Sequence, residues 1–109
     1  MRVLLTVSPR SYREVFALAL TRHRPRLEVT LAAPEDLDRE AERFEPHLVV
    51  CNEVTPAVRA NALSWVQILF ENGLDAVVSV NGQAFEVHDI STEDVLGAID
   101  ETERMLLGA

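Results

Sequence analysis

Two short apolar runs constrain this chain more than any other feature. Val3-Leu4-Leu5-Thr6-Val7 and Leu48-Val49-Val50-Cys51 are nearly continuous, and turn residues close each of them, Ser8-Pro9 the first and Asn52-Glu53 the second. A strand with one wet face alternates apolar and polar residues, whereas a continuous run marks a strand covered on both faces. In a small protein that means helices above and below a largely parallel sheet. The composition agrees: 109 residues at 48% apolar and 26% charged fit one domain, 1–109. A chain of this size buries roughly two-thirds of its unfolded surface without a staple.

The rest of the chain alternates accordingly. After the first run, Ser8 is placed as N-cap with Pro9 at the first helical position, and Tyr12, Val15, Phe16 and Ala19 give one apolar stripe. Pro25 ends that helix. Leu27, Val29 and Leu31 alternate with Glu28 and Thr30, the period of an edge strand. Pro34 opens a second helix carrying Leu37, Ala41 and Phe44, with Glu35 and Arg39 spaced for an i,i+4 pair. Residues 55–73 admit two readings. Thr55 and Pro56 start either one long helix or a short one followed by a strand over 65–70, and the aromatic and β-branched content favours the strand. Residues 71–74 then turn into 76–80, and Asn81-Gly82 is a two-residue hairpin signal leading into 84–88.

The last helix is the best marked. Ser91 and Asp94 form a capping box, Ile90 and Val95 a hydrophobic staple, and Val95, Ala98, Ile99, Thr102 and Leu106 the buried stripe. Arg104 is placed in its last turn. The expected fold is α/β and three-layered: a mostly parallel sheet from a β-α-β-α-β unit, then an antiparallel hairpin meander and a C-terminal helix.

Several chemistries are excluded. No lysine occurs, which removes Schiff bases and P-loop cradles together. The net charge is −8, split into +5 up to Arg26 and −13 beyond it, so a basic face for nucleic acid is missing. Arg22-His23-Arg24-Pro25-Arg26 reads first as a solvated helix end and second as a dock for an acidic partner. One cysteine, Cys51, permits no internal disulfide and suits a reducing cytoplasm. No apolar stretch approaches the ~18 residues that cross a bilayer, so a soluble protein with no membrane partner is expected. Cys51 with His47 as base fails on geometry, because four strand residues separate them by about 13 Å. The three histidines lack metal spacing. No enzyme, metal or cofactor is expected.

Val3-Leu4-Leu5-Thr6-Val7-Ser8 with its following helix, Pro46-His47-Leu48-Val49-Val50-Cys51-Asn52, and Ser91-Thr92-Glu93-Asp94-Val95-Leu96 resemble the receiver domains of two-component response regulators. The likeness spans about half of the chain. It implies a flavodoxin-like scaffold, on which receivers carry an acidic pair after strand one, an aspartate ending strand three and a lysine after strand five. Here Val7 and Ser8 stand in the first place, Asn52 in the second, and no lysine exists for the third. The region 56–88 also lacks room for the third and fourth receiver helices. The resemblance therefore implies a degenerate, pseudo-receiver signalling fold without phosphotransfer.

In open α/β sheets, ligands settle beyond the carboxyl ends of the strands. Ser8, Arg10, Asn52, Glu53 and Thr55 are the candidate ligand-binding residues there, with Arg10 and the helix start suited to a small anion. The leading expectation is a non-catalytic interaction and regulatory module, a homodimer or docked on a protein partner through a helix face or the terminal hairpin. A small-anion or small-ligand sensor at the strand ends is the alternative.

Overall fold

The computed structural model describes residues 1–69 and 74–108. The chain runs through strand β1 (Arg2–Leu5), helix α1 (Arg10–His23), strand β2 (Glu28–Leu31), a 3₁₀ turn (Pro34–Asp36), helix α2 (Leu37–Phe44) and strand β3 (Leu48–Cys51). Helix α3 (Pro56–Asn61), strands β4 (Ser64–Leu69), β5 (Asp75–Val80) and β6 (Gln83–Val87), and helix α4 (Thr92–Gly108) follow. The six strands form one sheet in the order β2-β1-β3-β4-β5-β6. It is mixed: parallel from β2 to β4, antiparallel from β4 to β6.

Strands β1 and β3 lie inside the sheet and are almost wholly buried, and β2 is an edge. Because side chains alternate across a strand, the two faces divide the core into two clusters. Val3, Leu5, Leu48, Val50, Val66, Ile68 and Val78 pack against Phe16 and Leu20 of α1 and Val95, Ala98 and Ile99 of α4. Leu4, Val49 and Cys51 pack against Leu37 and Ala41 of α2 and Val58 and Ala62 at α3. A leucine such as Leu4, with no exposed surface, contributes about 2–5 kcal/mol against truncation to alanine.

The strand reading of the middle segment holds. Thr55 Oγ1 accepts from Val58 N (3.3 Å) and caps only the short α3, after which β4 begins. The expected turn over 71–74 lies mostly outside the described residues. At the hairpin Asn81 and Gly82 both take positive φ (51° and 84°), as a tight primed turn requires. The capping box of α4 forms reciprocally: Asp94 N donates to Ser91 Oγ (3.3 Å) and Ser91 N to Asp94 Oδ2 (2.9 Å).

Four local expectations are corrected. Pro9, not Ser8, occupies the cap position of α1, and no side chain caps it. The buried stripe of α1 is Phe16 and Leu20, while Val15 is 59% exposed. Arg39 pairs with Asp36 (2.7 Å) rather than Glu35, because residues 34–36 form a 3₁₀ turn, not α-helix. Helix α4 continues past Arg104, which pairs with Glu101 (2.6 Å), and Leu106 is exposed. The last turn is the exposed one: Leu107, like Leu106, lies largely in solvent, while Met105 still packs on the core.

Candidate functional site

The strand-end crevice exists, but its residues are occupied by the fold. Asn52, just past β3, accepts the Ser8 N–H through Oδ1 (2.7 Å) and donates Nδ2–H to the Ile68 carbonyl (3.2 Å). Gln67 Nε2 donates to the Asn52 carbonyl (3.3 Å). The amide thus ties together the ends of β1, β3 and β4. Thr55, besides capping α3, donates Oγ1–H to Asp38 Oδ1 (2.6 Å).

Asn52, Glu53 and Thr55 line a cavity of about 190 Å³ with Glu35, Asp38 and Thr6. Three carboxylates therefore border it, two of them from the segment opened by Pro34, which spacing along the chain did not bring to Asn52. Among the described residues no three His, Cys, Asp or Glu side chains group closely enough to hold a metal ion. Arg10 stands apart. It pairs with Glu14 (2.9 Å) and lines a separate cleft with Arg13 and residues after β2, on the α1 side of the sheet. Of the five candidates, Ser8 joins the crevice only through its bond to Asn52, and Arg10 does not join it.

The other candidate chemistry is closed off. Burial pushes the Cys51 thiol up to about 12, partly offset by a hydrogen bond from the Glu53 backbone. A thiol so held is not a nucleophile at neutral pH. His47 Nδ1 accepts the Arg2 N–H (2.9 Å), and burial, with Arg2 beside it, lowers its pKa below the usual histidine value.

A larger feature lies at the opposite end of the sheet. Between β6 and α4 runs a groove of about 450 Å³ floored by Val78, Val80, Phe85 and Val87 and walled by Ala98 and Met105. Glu93, Asp94 and Glu101 stand along its helical rim, with Gly97 between them. Phe85 is 55% exposed. Among the described residues the sheet ends here with β6, and the hairpin register says which groups that edge offers. Asn81 N donates to Leu63 O across β4 and β5 (3.2 Å), so Ala76, Val78 and Val80 direct their backbone groups to β6. Their partners are Val87, Phe85 and Gln83, which leaves the N–H and C=O of Ala84 and Glu86 pointing outward. The sequence marks this end through the Asn-Gly turn and the alternation of Phe85 and Val87; the groove itself needed the position of α4.

Among the described residues no helix is long and apolar enough to cross a membrane. No family model, curated protein or solved structure matches the chain.

Proposed function

We propose that this protein is a non-catalytic interaction and regulatory module, a degenerate receiver-like, flavodoxin-like domain of the cytoplasm that is not phosphorylated and self-associates. One observation carries the reading: among the described residues β6 is an unpaired edge whose outward backbone groups and exposed Phe85 adjoin an apolar groove. Open edges of this kind are templates for pairing, and natural proteins usually blunt them with lysine, proline or a bulge. Gln83-Ala84-Phe85-Glu86-Val87 carries one charge and neither lysine nor proline. The commitment of the Asn52 amide to Ser8 and Ile68 supports a structural role for that position. The acidic lining of the strand-end cavity gives no support to an anion sensor there.

Light scattering over a wide concentration range tests the reading. Wild type is expected to associate and Phe85→Asp to be monomeric with unchanged circular dichroism. A wild-type monomer at every concentration would refute it.

A further inference from the structure

Helix α1 carries an apolar stripe that its own fold does not use. Val15 and Leu18 are 59% and 70% exposed, and Ser11, Val15, Leu18 and Arg22 follow one another at four-, three- and four-residue spacing on one face. The direction of this face can be read from the helix itself. Phe16 and Leu20 are buried against the sheet, and Leu18 lies two residues from each, about 160° around the axis, so the stripe points away from the sheet into solvent. It is basic at one end, where Arg22 and Arg26 are both exposed.

The groove between β6 and α4 is its complement. Its floor is apolar, its rim carries Glu93, Asp94 and Glu101, and Arg104 is paired with Glu101. Gly97 lies in mid-helix at this rim, and a Cβ there would meet nothing within 4 Å. Glycine in a helix interior is destabilising relative to alanine, and nothing in the monomer requires it. Its missing side chain leaves a notch through which another helix can approach α4.

We propose that the groove between β6 and α4 receives α1 of a second copy of this chain, with Val15 and Leu18 on the apolar floor and Arg22 toward Glu93 and Asp94. This rests on the self-association proposed above and names the surface that meets the groove. The polarity follows from the charges. Arg22 lies about 6 Å along its axis from Leu18, and Asp94 about 6 Å from Ala98, so the incoming α1 runs antiparallel to α4. Anchors at such i, i+3 spacing are the usual signature of a helix laid in a groove. Because the two surfaces differ, the contact is head-to-tail, and a chain of copies leaves one groove unfilled at one end and one stripe at the other.

Two variants, each first checked for folding by circular dichroism, decide the matter. Leu18→Asp spoils the stripe and keeps the groove; Phe85→Asp spoils the groove and keeps the stripe. Each alone should associate roughly tenfold or more weakly than wild type, as loss of a buried anchor does. Mixed in equal amounts they should form a heterodimer and nothing larger. Gly97→Leu, which fills the notch, should behave as Phe85→Asp does, and added salt should weaken wild-type association. If Leu18→Asp associates like wild type while Phe85→Asp does not, the groove meets some other surface and this inference falls while self-association stands. If both variants are monomeric and their mixture is too, the contact is symmetric and the inference again falls. If wild type never associates, both readings fall.

Discussion

Asn52→Ala removes the two side-chain bonds that hold the ends of β1 and β4 to β3, at 2.7 Å to Ser8 N and 3.2 Å to Ile68 O. An ordinary hydrogen bond contributes about 1 kcal/mol net, and leaving a partner unsatisfied adds to the loss. Ser8 is exposed, so water replaces its acceptor, whereas the Ile68 carbonyl sits in a part-buried bond. The expected cost is about 2 kcal/mol. With a urea m-value of roughly 2 kcal/mol/M, the unfolding midpoint falls by about 1 M. The Tm falls by about 8 °C if each kcal/mol lowers it by about 4 °C. The m-value should not change, because the same surface is exposed on unfolding. Asn52→Asp keeps an acceptor for Ser8 but sets a carboxylate against the Ile68 carbonyl in a cavity already lined by Glu35, Asp38 and Glu53, so it should cost at least as much as alanine. Urea denaturation followed by circular dichroism measures both. A midpoint within about 0.3 M of wild type for either variant would refute the latch, since that is under 1 kcal/mol.

Thr102 Oγ1 and Ser64 Oγ share a buried hydrogen bond of 2.7 Å, so Thr102→Val should cost about 1–3 kcal/mol by stranding the serine, and adding Ser64→Ala should restore part of it in a double-mutant cycle. Gly97→Ala should raise monomer stability by roughly 0.5–1 kcal/mol, the reverse of its effect on association; a loss in thermal unfolding would show that the monomer needs that glycine. Native Cys51 should resist iodoacetamide and react once urea unfolds the chain. Its thiol is pushed up to about 12 from 9.0, so the corresponding stability is intact below pH 9 and lost as pH rises from there through 12, a decline that Cys51→Ala should lack. Arg24 holds the Asp100 carboxyl below the usual range, so the pair contributes above the unfolded carboxylate pKa and is lost as pH falls through the folded one. Asp100→Asn should therefore be slightly less stable than wild type at pH 7 and equal to it in acid, measured by urea titration at each pH.

Features governed by local geometry were legible in the residues. The two buried runs, the Asn81-Gly82 turn, the Thr55 cap and the Ser91–Asp94 box depend on neighbours a few positions away, and all are present in the structure. The phase of α1 was not. Residues 15–20 are all apolar, so several stripes fit the period, and contact with α4 and the sheet selects Phe16 and Leu20 over Val15. The candidate crevice failed in part for the same reason. Asn52 and Thr55 are near in sequence and meet, whereas Arg10 begins the helix on the other face of the sheet, a fact about layers that spacing does not encode. Two of the three carboxylates at the cavity come from residues 35 and 38, in the turn before α2 and in its first turn.

Helices α2 and α3 cover only part of their face of the sheet, and Trp65 on β4 stands at the limit of that cover. It packs against their cluster, faces Ser79 across the strand pair, and has the Arg59 guanidinium 5.0 Å above its ring. As the chain's one tryptophan, it is a native optical probe at the seam between doubly and singly clad sheet. Its emission reports departure of α3 separately from melting of the β4–β6 meander, so a spectral change preceding loss of ellipticity would mark that short helix as the first element to leave.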